Sequence, residues 1–309
     1  AQLTATLKNL YGRIEISDKA VRASRSDEGA FIDLLNTEME QLVRSSSFNF
    51  GRMLFGDGSG KLGTVSSVSG TTYTMDSAKN FAVGMIVDVI NAEGSNVAAG
   101  RTVTGVDYVG KKITLSGASI AEAGSCGVYV QNSRDLEITG LGAIFSDSEE
   151  LYGLKRADHP WLNPIEVESV GELTENAVQK AIDLVEESAG SRVNFIVCSW
   201  GVRRALYEVL SAYRHIESVE LAGGAKAITF NGIPVVADRF CPDGTMYLLN
   251  TDDFRLHQLC DWQWLEGENG RILAQVPGKP VYTATLVKYA ELLCSRPCGQ
   301  AVLKGITEK

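Results

Sequence analysis

The sequence predicts an α+β fold in which a small all-β domain is inserted into a larger body. Residues 27–55 have the apolar spacing of one long helix. Residues 61–132 contain ten glycines, eleven valines and no proline, and short apolar runs alternate there with turn signals. From residue 173 onwards, helical and strand patterns follow one another, which is typical of helices packed on a sheet.

The composition narrows the classes of function. The chain has 309 residues, of which 44% are hydrophobic, so it can bury the cores of more than one domain. Its formal net charge of −9 argues against a general nucleic-acid binder, because such proteins need an excess of Lys and Arg. No apolar run approaches the roughly 20 residues of a membrane-spanning helix. We therefore expect a protein that is not a general nucleic-acid binder and that does not cross a membrane with a helix.

Residues 1–25 are expected to form an extended segment. Leu10, Ile14 and Ile16 alternate with polar residues, as in a strand. The segment carries five basic and two acidic residues and has little apolar content for a core of its own. We predict that it projects over a neighbouring subunit and faces acidic residues there, within 147–187. The candidate assembly contacts are Arg13, Glu15, Lys19, Arg22 and Arg25.

A glycine-rich turn follows the long helix. A phosphate-binding loop lies before a helix, where N–H groups point at the anion, whereas these glycines come after one. The phosphate-loop motif also requires Ser or Thr after its Gly-Lys pair, and Leu62 stands at that position. We predict that Gly56 ends the helix in the left-handed conformation. The structural turn residues are then Gly56, Asp57, Gly58 and Gly60.

The stretch 61–132 is predicted to be a separate sandwich or barrel of short strands. Because domain insertions are tolerated where the ends of the insert are adjacent, we expect Gly60 and Asn132 to lie close together. After it, residues 147–187 carry eleven acidic and three basic residues, which predicts a solvated face.

The stretch after residue 173 has clear local signals. Thr174 is placed to cap a helix that Gly190 ends. Asn231-Gly232 between two apolar runs indicates a hairpin. Long strands are predicted at 263–276 and 281–294.

Residues that could carry chemistry are scattered. The six cysteines are dispersed, and the Cys294–Cys298 pair has no second pair at the spacing of a zinc site. The three histidines form no known metal motif, and His159 is interpreted as a loop packing residue. We therefore predict no catalytic, cofactor-binding or metal-binding residues, no cofactor and no enzymatic activity.

Taken in chain order, the predicted segments resemble the major capsid protein of tailed bacteriophages, whose fold is named after the Hong Kong 97 phage. The segment "LYGRIEISDKAVRAS" is similar to the returning strand of the family's extended loop, and "DEGAFIDLLNTEMEQLVRSSSFNFGRML" to its spine helix. "LFGDGSG" is similar to the turn L-x-G-D-G-[ST]-G that ends that helix. "TENAVQKAIDLVEE", "NFIVCSWGVRRALYEVL" and "FNGIPVVAD" match the family's axial domain in kind and order.

The resemblance covers most of the chain outside 61–132 and implies a division into domains. Residues 1–25 would be the returning strand of the extended loop, and 61–132 an inserted β domain. Residues 26–60, 133–172 and 254–292 would form the peripheral domain with the spine helix, and 173–253 and 293–309 the axial domain. The tip of the family's extended loop would precede Ala1, so crosslinking between subunits is not implied.

The resemblance also implies a function. The chain would self-assemble into hexamers and pentamers of an icosahedral shell that encloses double-stranded DNA without binding it specifically. Its partners would be copies of itself, a portal, and decoration or scaffolding proteins, in a virion assembled in the cytoplasm of a host bacterium.

Three alternatives stay open at the level of sequence. An encapsulin-like shell would share the fold but hold cargo enzymes instead of DNA. A small-molecule enzyme would show a deep pocket with convergent polar groups. A carbohydrate-binding surface module could account for 61–132 but not for the rest of the chain.

Overall fold

The computed structural model describes residues 2–24, 28–120, 123–212, 218–220, 226–267 and 270–309. In chain order, its helices are α1 (Asp18–Ser24), α2 (Glu28–Phe55), α3 (Leu141–Ile144), α4 (Glu175–Ala189) and α5 (Trp200–Ala212). Its strands are β1 (Lys8–Ser17), β2 (Lys61–Ser69), β3 (Thr72–Met75), β4 (Ile86–Ile90), β5 (Asn96–Asp107), β6 (Lys112–Leu115), β7 (Gly127–Val130), β8 (Glu150–Leu151), β9 (Leu154–Lys155), β10 (Ile165–Val167), β11 (Phe195–Cys198), β12 (Ser218–Glu220), β13 (Lys226–Phe230), β14 (Ile233–Ala237), β15 (Met246–Leu249), β16 (Phe254–Trp264), β17 (Ala274–Gln275), β18 (Val281–Cys294) and β19 (Ala301–Leu303). The mixed α+β fold that the sequence predicts is confirmed.

Helix α2 is the spine of the molecule. It has 28 residues and is therefore about 42 Å long at 1.5 Å per residue. The predicted long helix is confirmed over the described residues. In its C-terminal part, Met53 packs against Leu10 of β1 and against Ile138. The spine therefore contacts residues that precede the inserted segment in the sequence and residues that follow it.

An antiparallel sheet lies along the spine in the order β1-β18-β16, and the short β17 also pairs with β18. The apolar face of β1 is buried, as its alternation predicts: Leu10, Ile14 and Ile16 are each at most 7% exposed. The spine passes close to β1 at Gly12, where a Cβ would lie 2.8 Å from Leu42 Cδ1. Glycine at this position therefore allows the helix to pack on the strand.

The prediction that residues 1–25 project over a neighbouring subunit is wrong for β1. All ten residues of β1 pair with β18 of the same chain, from Lys8 opposite Ala290 to Ser17 opposite Val281. Pairing with β18 buries the apolar face of β1 under its own spine, which an arm outside the subunit would leave exposed. The segment is not extended throughout either, because α1 begins at Asp18 and Ser17 Oγ accepts a hydrogen bond of 3.2 Å from Ala20 N.

The strand predicted at 263–276 is also different in the structure. Strand β16 begins earlier, at Phe254, and ends at Trp264. Leu265 N donates to Thr285 O of β18 at 2.8 Å and Gly267 N to Arg271 O at 2.9 Å, and among the described residues strand pairing with β18 resumes at Ala274. Gly270 has a φ of +68°, so the glycines of this stretch favour a turn over the continuous strand suggested by the apolar residues around them.

Strands β2 to β7 form a closed barrel with the strand order β2-β3-β6-β5-β4-β7. Strand β2 closes it, because its first half pairs with β7 and its second half with β3. The barrel has a core of its own, with Phe81, Val87 and Val103 fully buried. The short strands predicted in this stretch are confirmed.

The two ends of the barrel segment are adjacent, as predicted. Asp135 N donates to Ser59 O at 2.9 Å, and a Cβ on Gly60 would lie 2.6 Å from Ser133 O. The barrel therefore enters and leaves the body at one place. The exact domain boundaries remain a prediction.

A second sheet of seven strands runs in the order β10-β19-β15-β11-β14-β13-β12, and α4 and α5 supply apolar residues to its core. The local signals of this region are confirmed. The Thr174 side chain accepts from Ala177 N at 3.1 Å, and Gly190 ends α4 with a φ of +55°. Asn231 and Gly232, both with positive φ, join β13 to β14 in an antiparallel hairpin.

A substitution at Gly140 tests how tightly the chain leaving the barrel packs on the end of the spine. A Cβ at this position would lie 2.3 Å from Met53 O and 2.6 Å from Gly56 O. Since backbone cannot move aside as a flexible side chain can, we expect Gly140→Ala to lower the free energy of unfolding by about 2 kcal/mol in a urea titration.

The matched control is Gly124→Ala. Gly124 has no atom within 4 Å of its would-be Cβ and is not among the residues with positive φ. Its effect should stay within about 0.5 kcal/mol. Equal effects of the two substitutions would contradict the packing described for Gly140.

Candidate functional site: the joint and the assembly surfaces

The turn after the spine differs from the prediction at Gly56. Gly56 is not among the residues with positive φ, whereas Gly58 and Gly60 have φ of +86° and +77°. Gly56 N donates to Met53 O at 3.0 Å, which tightens the last turn of the helix in place of a left-handed ending. Asp57 stabilises the bend that follows, since its Oδ1 accepts from Ser59 N at 2.9 Å.

A buried ion pair locks the place where the barrel joins the body. The Arg52 guanidinium of the spine donates to Glu137 through two bonds of 2.9 and 2.5 Å. Both side chains are almost fully buried, at 3% and 2% exposure. Ser133 Oγ also donates to Glu137 Oε1 at 2.8 Å, and the Gly60 Cβ position lies 3.4 Å from the same carboxyl group. We call Arg52, Gly60, Ser133 and Glu137 the joint.

The joint was not predicted from the sequence. Its two charged members are 85 residues apart, on either side of the barrel segment. The available signal was weak: Arg52 stands beside Met53 and Leu54 at the apolar end of the spine, where a charge must find a partner.

A second buried carboxyl group lies next to the joint. Glu291 of β18 is 3% exposed and accepts from Thr139 N at 2.6 Å and from Leu292 N at 3.0 Å. Burial raises the pKa of Glu291, while the hydrogen bond from Thr139 opposes that shift. The segment leaving the barrel is thereby fixed to the long central strand as well as to the spine.

The barrel has a second attachment, on the loop that joins β14 to β15 of the seven-stranded sheet. Lys79 forms an ion pair with Asp243, and its Nζ also donates to Cys241 O at 3.3 Å. Nearby, the Arg239 guanidinium lies 4.8 Å from the centroid of Phe48 on the spine and 5.3 Å from that of Tyr108 on the barrel. Arg239 therefore contacts both the spine and the barrel.

The candidate assembly contacts on β1 and α1 lie at the surface. Arg13 forms an exposed ion pair with Glu15 at 3.2 Å, and Arg22 Nε donates to Asp18 at 2.5 Å. Asp18 raises the pKa of Arg22 through that hydrogen bond. Lys19 is exposed, and Arg25 lies outside the described residues. Their role in assembly stays a prediction, and three of them, Arg13, Glu15 and Arg22, already have partners in their own chain.

The outer strands of the spine sheet form two edges. Among the described residues, β1 and β16 each pair with β18 and with no other strand. On β16, Leu256 and Leu259 are 42% and 76% exposed. An edge of this length with exposed leucines is a template for association with another chain.

The acidic stretch 147–187 is only partly a free surface. An open groove of about 710 Å³ is lined by Asp147, Glu149, Glu166 and Glu168 together with Lys155 and Arg156. Lys304 forms an ion pair with Glu166 and lies 3.7 Å from Glu168. Arg156 is buried instead, and its guanidinium donates to the carbonyls of Leu162, Ala143 and Ile144 at 2.6 to 3.0 Å. Burial lowers the pKa of Arg156.

The described residues bring no metal-binding cluster of three or more His, Cys, Asp or Glu side chains together. His159 lies 6.2 Å from the ring of Trp161 in a loop, His257 is on exposed β16, and His215 is outside the described residues. Within the described part of the chain, we find no helix with the length and apolar character needed to cross a bilayer.

No protein-family model matches the chain, and no curated protein does. Among solved structures, the cyanophage A-1(L) capsid is similar at 18% identity and a TM-score of 0.44, over 57% of this chain and 61% of that one. Gordonia phage Cozz is similar at 9% identity and a TM-score of 0.45, over 98% and 71%. The holo-SrpI encapsulin complex of Synechococcus elongatus PCC 7942 is similar at 17% identity and a TM-score of 0.37, over 47% and 56%.

The solved structures similar to this chain are mostly phage capsid proteins. The match spans less than two thirds of the encapsulin and cyanophage chains, at 56% and 61% of their lengths.

A substitution at Glu137 tests the joint. Glu137→Gln leaves the Arg52 charge buried without its counter-charge, so we expect the free energy of unfolding to fall by about 3 kcal/mol or more. The control is Glu15→Gln, which removes one partner of the exposed pair with Arg13 and should cost at most about 1 kcal/mol. Urea titrations of the two variants decide the question, and similar small losses in both would show that the joint does not stabilise the fold.

Proposed function

We propose that this chain is the major capsid protein of a tailed bacteriophage, which assembles into hexamers and pentamers of an icosahedral shell around double-stranded DNA. The observation that carries the proposal is a 28-residue spine lying on a sheet whose two outer strands, β1 and β16, lack a second partner strand among the described residues. The order of elements around this spine is the one that the sequence resemblance implies.

The spine and its sheet suit a protein whose function is mechanical. A long rigid helix with strands along it keeps the two edges at a fixed separation, so contacts made at each edge can repeat around a symmetric assembly. Each exposed ion pair at such a contact would contribute only about 0–1 kcal/mol. Many copies of a small contribution still favour a closed shell.

The charge of the chain suits a container for DNA. A net charge of −9 disfavours tight adsorption of the packaged genome, because adsorption requires basic residues that displace counterions from phosphates. In this proposal the shell encloses double-stranded DNA without specific binding, and it takes a portal and decoration or scaffolding proteins as partners. It would be part of the virion and would assemble in the cytoplasm of the host bacterium, with no enzymatic step of its own.

Electron microscopy of the purified protein tests the proposal. We expect closed shells or tubes of regular width, and we expect fewer of them at about 1 M salt than at 0.1 M, because salt screens exposed ion pairs. Particles that contain a protein cargo and no nucleic acid would favour an encapsulin-like shell. Monomers at all protein and salt concentrations would overturn the proposal.

A further inference from the structure

Helix α5 carries an exposed ridge that the fold does not use. Trp200 and Tyr207 are 45% and 51% exposed, and Arg204 between them is also exposed. The Arg203 guanidinium lies 4.7 Å from the Trp200 ring centroid, which holds the indole against the helix. We call Trp200, Arg203, Arg204 and Tyr207 the ridge. Tryptophan, tyrosine and arginine are the residues most enriched at the energetic centres of protein interfaces.

The ridge is not part of the core of its own chain. Helix α5 already packs Val202, Leu206 and Leu210 into the core, and these residues are at most 5% exposed. Arg204 Nε also donates to the Lys309 carbonyl at 2.5 Å. The aromatic surface of the ridge thus faces outward.

A groove lies beside the ridge on the same helix, and Lys309, whose carbonyl accepts from Arg204, is part of its lining. It has a volume of about 770 Å³ and runs between α5 and the N-terminus of α4. Its apolar lining includes Leu173, Ala205 and Val209. Its charged lining is three acids and one base: Glu172, Glu175, Glu208 and Lys309.

We infer that the ridge of one copy of this chain docks in the groove of the next copy; this inference rests on the proposed shell function. The two surfaces are complementary in charge, since the ridge carries two arginines and the groove an excess of two acids over bases. They are also complementary in chemistry, because the groove offers the partly exposed Val209 to the Trp200 and Tyr207 rings and carboxylates to the arginines, while Leu173 and Ala205 form its buried base.

The positions on the helix make the contact directional. At 100° per residue, Trp200 and Ala205 point about 140° apart around α5, and Tyr207 and Val209 about 160° apart, whereas Arg204 and Glu208 point about 40° apart. The two surfaces therefore adjoin at Arg204, which donates to Lys309 of the groove, while the Trp200 and Tyr207 rings and the Val209 side of the groove face two different neighbours. Such a head-to-tail contact closes into a ring when the rotation allows it, as a capsomer requires.

Charge reversal on each side tests the docking. The ridge variant is Arg203→Glu with Arg204→Glu, and the groove variant is Glu172→Lys with Glu175→Lys. Each variant alone places like charges opposite each other, so we expect its assembled fraction in sedimentation velocity to fall at least tenfold. In an equimolar mixture every ridge finds a groove of opposite charge, so assembly should recover to within about twofold of the wild-type level.

The mixture of the two variants also restricts the number of subunits in each ring. The two variants must alternate around each ring, which is possible with six members and impossible with five. We therefore expect the mixture to form sheets or tubes of hexamers instead of closed shells in electron micrographs. A ridge-to-ridge contact would leave the groove variant assembling like wild type on its own, and that result would overturn the inference.

Controls separate this inference from the proposed function. Lys180→Glu with Arg192→Glu, and Glu186→Lys with Glu187→Lys, make the same charge changes at exposed positions outside the ridge and groove, and should assemble like wild type. Thermal melts check that each variant folds. The variant Trp200→Ala with Tyr207→Ala removes the two rings without a change of charge, and it should also reduce the assembled fraction at least tenfold. If wild-type protein does not assemble, the proposed function fails; if wild type and all variants assemble equally, only the docking inference fails.

Discussion

The architecture depends on one buried ion pair. Arg52 and Glu137 lie almost completely out of water, at 3% and 2% exposure, so neither charge is tolerable without the other. The pair joins the end of the spine to the loop that leaves the barrel, and Ser133 adds a third bond to the same carboxyl group. Because Glu291 fixes the neighbouring Thr139 to β18, the spine, the barrel and the central strand meet at one buried polar cluster.

This arrangement explains how a barrel can be inserted into a body without disturbing it. The barrel keeps its own core and contacts the body at the joint and at the Lys79–Asp243 and Arg239 contacts. The C-terminal part of the spine packs on Leu10 of β1 and on Ile138, independently of the barrel core. Two cores therefore form separately, and the direction of the barrel is set by a few polar contacts whose geometry is fixed by hydrogen bonds.

The sequence predicted those features whose causes are local. Thr174 and Gly190 bound α4 because a side-chain cap and a left-handed glycine act within a few residues. The spine was predicted from its helical spacing of apolar residues, and the barrel strands from short apolar runs between turn signals. Both signals are also local. The partner of β1 was not predictable. Alternation shows that one face of the strand is buried, but it does not show which strand pairs with its edge. Gly56 was predicted wrongly because the hydrogen bond to Met53 O, and not the residue type, decides its φ.

Hydrogen exchange of wild type and Glu137→Gln, followed by mass spectrometry, tests the central role of the joint most directly. We expect at least tenfold faster exchange in residues 57–60 and 133–141 of the variant, because these segments are held by the buried pair. Exchange in β4 and β5 should not change, since the barrel has its own core. Faster exchange throughout the barrel, or no change at the joint, would show that the buried pair does not hold these segments.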